Sequence, residues 1–133
     1  MRVMLDTNIL VSAFVFQSGK IYYMIDYIVS YHELVLSTYV VEELRDVVDV
    51  KFPGMAGELD EFLTTLSFSL AYTPKNTPPG LFQIRDKCDY PVLYTAMLEN
   101  VDILITGDKD FIGVEVEKPE IMTVTEFIAE YME

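Results

Sequence analysis

Residues 102–112 read DILITGDKDFI: an apolar run, a glycine, then two aspartates, Asp108 and Asp110, on either side of Lys109. The chain already carries 22 acidic side chains against 9 basic ones. Further carboxylates at the end of an apolar strand raise the self-repulsion of the folded state, and desolvating them is costly unless something compensates. Asp6 stands in the same relation to the apolar run Val3–Leu5. Two more carboxylates are singled out by helical phase. The segment from Thr38 to Val50 has an apolar stripe of Val40, Leu44, Val47 and Val48. At about 100° per residue Glu43 falls on the edge of that stripe, while Glu42, Arg45 and Asp46 point away. Asp89 lies one turn before Val92 and in line with Ala96, at the start of another helix.

Each of these residues has a structural explanation when taken alone. Asp6, Asp89 and Asp108 can each cap a helix that follows, and Glu43 can pair with an arginine. Brought to one end of a sheet, they conflict. Several carboxylates within a few ångström cannot all stay ionised unaided, and one pKa is driven up sharply. A divalent cation removes the conflict, and hard oxygen ligands select Mg²⁺ or Mn²⁺. The acidic turn is therefore expected to hold metal, with Gly107 supplying the tight backbone that brings Asp108 round.

The elements that must position these residues follow from periodicity. Short apolar runs near 3–5, 34–37, 68–73, 103–106 and 120–123 read as strands. Between them lie helical segments at about 20–31, 38–50, 55–67 and 89–99, with a last helix opening on Thr123 and Glu126 at capping-box spacing. Pro91 is tolerated in a first helical turn, where the amide it lacks has no partner in any case. Residues 74–83 hold three prolines and a glycine and read as a loop. Strand and helix alternating over a whole small chain predict an α/β fold with a parallel sheet between helices. Ligands of such sheets bind just past the carboxyl ends of the strands, where Asp6 and Asp108 fall.

A length of 133 residues with half the residues apolar suits one globular domain spanning 1–133. The net charge of −13 argues against non-specific coating of nucleic acid through a basic face, although bound metal can reverse charge locally. One cysteine, Cys88, excludes an internal disulfide and fits a reducing cytoplasm. No apolar stretch approaches the roughly 20 residues of a membrane helix, so no membrane partner is expected. His32 is the sole histidine and reads as a surface residue, so chemistry needing a histidine pair is excluded.

The segments MLDTNIL, VVEELRDVV, RDKCDYPVLYTAM, ITGDKDF and IMTVTEFI, in that order over nearly the whole chain, resemble the PIN domain. More narrowly they resemble the VapC-like PIN-family toxins of bacterial and archaeal toxin–antitoxin pairs. The resemblance implies a three-layer α/β/α sandwich whose five-stranded parallel sheet is ordered 3-2-1-4-5. It implies a ribonuclease using one or two Mg²⁺ or Mn²⁺ ions, whose acidic cluster maps onto Asp6, Glu43, Asp89 and Asp108, with Asp110 at a more variable fifth position. Thr7, Asn8 and Thr106 match polar positions that support the ligands. In the RDKCDYP segment Asp86 competes with Asp89 for the third position, and helical phase favours Asp89. Lys109, Arg85 and Lys87 lie beside the cluster and are candidates for steering an RNA backbone. The expected activity is hydrolysis of RNA phosphodiesters, with an antitoxin protein and a homodimer as implied partners.

Two alternatives come from other classes. A phospho-acceptor receiver is also a small parallel α/β unit with an aspartate Mg²⁺ pocket, but the aspartates flanking Lys109 and the helical Glu43 fit it poorly. A protein acting mainly through partner binding is suggested by Tyr23, Tyr27 and Tyr31, which recur every four residues away from the Ile21 stripe.

Overall fold

A computed structural model describes residues 1–132. Five parallel strands are β1 (Arg2–Leu5), β2 (Glu33–Ser37), β3 (Ser69–Ala71), β4 (Ile103–Ile105) and β5 (Glu120–Met122), in the order β3-β2-β1-β4-β5. Helices α1 (Thr7–Phe14), α2 (Gly19–Tyr31), α3 (Thr38–Lys51), α4 (Ala56–Thr65), α5 (Tyr90–Leu98) and α6 (Val124–Phe127) connect and flank them. The expected sandwich and strand order are what the chain adopts. The order also separates it from the flavodoxin-like 2-1-3-4-5 arrangement that a receiver requires.

The central strands account for the stability of the sheet. Val3, Met4 and Leu5 of β1 are fully buried, as are Leu104 and Ile105 of β4. Unbroken apolar runs are what a strand covered on both faces needs. Each such side chain contributes about 1.5–3 kcal/mol by leaving water. Buried Val40, Leu44 and Val48 on α3, and Met24, Ile25 and Ile28 on α2, form the helical stripes that cover the sheet.

Pairing β1 with β4 determines where the chemistry sits. The register sets Leu5 opposite Ile105, and the ladder runs one step further, from Asp6 N to Ile105 O at 3.0 Å. Asp6 is thereby delivered beside Thr106, although 100 residues separate them in the chain. The β2 strand ends on Ser37, whose Oγ accepts from Val40 N at 3.1 Å and starts α3, the helix that carries Glu43.

The loop after β3 folds back onto the start of α5. Phe82 stacks on Tyr90 at 4.3 Å, and the Tyr90 hydroxyl donates to Pro78 O and accepts from Leu81 N at 3.3 Å. Pro91 sits in the first turn of α5 as expected. The capping box is also formed: Thr123 Oγ1 accepts from Glu126 N at 3.1 Å, and Glu126 Oε1 accepts from Thr123 N at 2.9 Å. The tyrosine row of α2 divides. Tyr23 and Tyr31 are exposed, but Tyr27 is half-buried and its hydroxyl donates to Tyr131 O at 2.7 Å. Among the described residues no helix is long and apolar enough to cross a membrane.

Candidate metal centre

Asp6 is the N-cap of α1 and 3% exposed. Both of its carboxylate oxygens are held: Oδ1 accepts from Thr7 N at 2.8 Å and Oδ2 from Thr106 Oγ1 at 2.8 Å. The Thr106 hydroxyl accepts in turn from Asp108 N at 3.0 Å, so one buried threonine fixes two of the acidic positions. Asp108 Oδ1 accepts from Asp110 N at 2.9 Å and caps a short 3₁₀ turn, Lys109–Phe111. Gly107 does not have the role expected of it. Its φ is not positive, and a Cβ there would meet nothing within 4 Å. The turn is shaped by the Thr106 and Asp108 side chains, which bond the backbone amides that follow them.

Asp89 shows that capping does not explain every carboxylate here. The cap of the 3₁₀ turn Lys87–Asp89 is Asp86, whose Oδ1 accepts from Cys88 N at 2.9 Å. Asp89 makes no capping bond to α5, although it is only 9% exposed. Its Oδ2 is buried with no hydrogen-bond partner. One carboxylate oxygen from each of Asp6, Asp89 and Asp108 lies within 4.8 Å of the others. Sequence position would suggest a fourth member, but Glu43 stands off. Thr7 Oγ1 donates to Glu43 Oε1, which anchors it at the edge of the cluster, and it joins no triad of that tightness among the described residues.

The electrostatics match the crowding. Burial first, then Asp108 and Asp6, push the Asp89 carboxyl up to about 8. Burial also raises Asp6, with Glu43 and Asp108 adding to it, while the bonds from Thr106 and Thr7 act the other way. Asp110 is raised by partial desolvation, then by Asp108 and Asp86, with Arg85 opposing. A buried oxygen without a donor, among carboxylates held apart from their ordinary pKa, is the environment a hard cation relieves. Asp6, Asp89 and Asp108 are the residues that could hold one.

The remaining expected residues take different places. Asn8 is exposed on the first turn of α1 and its side chain bonds none of these carboxylates. Lys109, Arg85 and Lys87 are exposed around the cluster, and Arg85 Nη1 lies 3.9 Å from Asp110 Oδ1. Cys88 is exposed, and Asp86 raises its thiol, which disfavours a nucleophilic thiolate. His32 lies at the opposite end of β2, with Nδ1 3.3 Å from the Met1 amino group. One neighbour went unnoticed in the sequence. The Tyr39 hydroxyl is pushed up to about 12, by burial first and then by Glu43, Cys88 and Asp89. Its spacing of four residues from Glu43 on one helix was the available signal.

A parallel sheet in this order, with carboxylates gathered past its carboxyl edge, defines an α/β protein built around an acidic centre. A profile of the PIN domain matches residues 2–110, and the chain belongs to that family. The fold is also that of a chain in the crystal structure of VapBC2 from Rickettsia felis bound to a DNA fragment from their promoter. The TM-score is 0.70 at 17% identity, over 92% of this chain and 98% of that one. Comparison with curated proteins returned no match.

Proposed function

We propose that this chain is a metal-dependent endoribonuclease, the toxin component of a toxin–antitoxin pair acting in the cytoplasm. The observation that carries the reading is Asp89 Oδ2, buried and without a donor, within a triad of carboxylates no more than 4.8 Å apart. PIN-domain membership supports hydrolysis of phosphodiesters as the chemistry, and the likeness to a VapBC2 chain supports the toxin assignment.

Asp6, Asp89 and Asp108 would hold Mg²⁺ or Mn²⁺, which supplies positive charge at the scissile phosphate and an acidified water at neutral pH. Thr106 and Thr7 lock the Asp6 carboxylate in place, so the ligand does not reorganise during a reaction. Glu43, held by Thr7, extends the acidic edge toward α3. Exposed Lys109, Arg85 and Lys87 are positioned to meet backbone phosphates of the substrate. The expected result is cleavage of single-stranded RNA with Mn²⁺ that EDTA abolishes and that Asp6→Asn lowers by at least about 100-fold. Cleavage that survives both treatments would remove the proposal.

The same reading includes an antitoxin partner and a homodimer. Exposed Tyr23 and Tyr31 on α2 support a contact face there, since tyrosine suits interfaces with one apolar and one wet side. Tyr27, half-buried between them in the row, spends its hydroxyl on Tyr131 O. Size-exclusion chromatography is expected to show a dimer for the parent and a monomer for Tyr31→Glu. Identical elution of the two proteins eliminates this face as the interface.

A further inference from the structure

Two cavities border the acidic centre, and they differ in charge. The larger, about 760 Å³, lies along β5 and takes in Asp108, Glu117, Glu120 and Glu126 against one cation, Lys109. Four carboxylates to one ammonium repel a polyanion. The smaller, about 320 Å³, opens beside Asp110, between the loop that follows β3 and the turn that follows β4. It carries one cation and one anion, Arg85 and Asp110, and is otherwise neutral. An RNA strand with a phosphate at the metal centre is thus favoured on the side of the smaller cavity, where Arg85 and Lys87 are exposed.

We infer that this smaller cavity takes one unstacked base of the RNA strand, next to the phosphate that is cleaved, and that Gln83 reads that base. The inference rests on the ribonuclease reading and deepens it by naming a determinant of base preference.

The walls have the chemistry that a base needs. Ile84 and Val114 are half-buried, pack against the core and present an apolar floor. Ile112 is 73% exposed and stands at the rim. An exposed isoleucine alone is ordinary. Here it borders a concave site whose other side is the exposed amide of Gln83. A carboxamide offers one acceptor and two donors side by side, the pattern that pairs with the edge of a base. Apolar side chains cover the faces of an unstacked base in the same way.

The cavity is formed before any ligand arrives. One wall is pinned to α5, where the Tyr90 hydroxyl holds Pro78 O and Leu81 N and its ring stacks on Phe82 at 4.3 Å. Tyr90 directly follows Asp89, so this wall is tied to the acidic centre. The other wall is fixed by Asp108 Oδ1, which accepts from Asp110 N at 2.9 Å, and by Lys109 O, which accepts from Ile112 N at 3.0 Å. Gly113, at φ +82°, turns the chain between Ile112 and Val114 in a conformation that glycine takes at little cost. A ligand entering here meets a fixed shape and orders little of the protein.

Mapping the cut sites of the full chain with Mn²⁺ on single-stranded RNA of random sequence tests this. The parent is expected to prefer one base at a fixed position beside the cut. Gln83→Ala should lower that preference roughly five- to thirty-fold. Fluorescence anisotropy of oligo(A), oligo(C) and oligo(U), with Ca²⁺ in place of Mn²⁺, reads binding without cleavage. Gln83→Ala should level the three affinities, whereas Ile112→Ser should weaken all three by roughly two- to five-fold, because apolar cover does not distinguish bases. Both side chains are exposed, and thermal melts verify folding. Cleavage by the parent without base preference, or with a preference that Gln83→Ala keeps, overturns the pocket and leaves the nuclease standing. An Ile112→Ser chain that binds as tightly as the parent overturns it as well. A parent that cleaves nothing, yet binds with a preference that Gln83→Ala abolishes, keeps the pocket and removes the nuclease. Neither cleavage nor binding by the parent removes both readings.

Discussion

Replacing Asp89 by asparagine is expected to raise the melting temperature of the EDTA-treated protein while lowering Mn²⁺ affinity and RNA cleavage by at least about 100-fold. The two effects share one cause. In the metal-free protein Asp89 is a nearly buried carboxyl, pushed up to about 8 by burial, Asp108 and Asp6. Its Oδ2 finds no donor. At neutral pH the folded chain holds this carboxyl protonated at a cost that the unfolded chain does not carry; asparagine removes that cost while keeping the shape, and its amide can donate to the neighbouring carboxylate oxygens. The gain is expected to be on the order of 3–6 °C. With metal present the sign reverses, because the ionised form that the empty site disfavours is the one that binds the cation. Loss of function with gain of stability is the signature of a strained site. Melting curves with EDTA and with Mn²⁺, together with calorimetric titration, measure both arms. A variant that melts below the parent in EDTA, or binds Mn²⁺ as well as the parent, would contradict the account.

The second large effect is on pH. A group whose folded pKa lies above its unfolded value favours the folded state while protonated, and that contribution is lost as pH rises through the folded pKa. Asp89 has an unfolded value near 3.9 and a folded value of about 8. Between these limits the folded chain binds more protons than the unfolded one, so stability of the metal-free protein falls from about pH 4 to about pH 8. Asp6 and Asp110 are raised as well and act with the same sign. Asp102 acts oppositely. The Arg2 amide and Lys118 hold its carboxyl below the usual range, so its contribution fades only as pH falls below that of an ordinary aspartate. Metal binds the ionised carboxylates and the folded state alone, so its stabilisation grows with pH. The melting temperature in EDTA should therefore fall between pH 5 and 8, and the increment added by Mn²⁺ should widen over the same interval. A flat profile in EDTA, with a constant increment, would show that these carboxylates are not crowded in solution.

Much of the architecture was legible in the residues. Apolar runs at Val3–Leu5 and Ile103–Ile105 became the buried centre of the sheet, because an unbroken apolar run is stable as a strand only when both faces are covered. The stripe on α3 turned Glu43 inward and Glu42 outward, as 3.6-residue periodicity requires. Thr123 and Glu126 formed the capping box their spacing announces. Errors arose where a local rule competed with a contact made elsewhere. Gly107 was assigned a backbone role that the Thr106 and Asp108 side chains perform. Asp89, read as a ligand with capping as its structural alternative, stands at the N-cap of α5 yet makes no capping bond, and its Oδ2 has no partner. Tyr27, in a row of period four, also donates to Tyr131 O, a contact between residues 104 positions apart that no local spacing announces.

The sequence by itself determined which segments are strands and helices and which carboxylates end them, since propensity, periodicity and capping act over a few residues. Only the tertiary structure decided which of those carboxylates meet. The pairing of β1 with β4 carries Asp6 to Thr106 across 100 residues, and two abutting turns bring Asp86 and Asp89 against Asp110 and Asp108. Both depend on burying the central strands, a force without direction that no local spacing encodes.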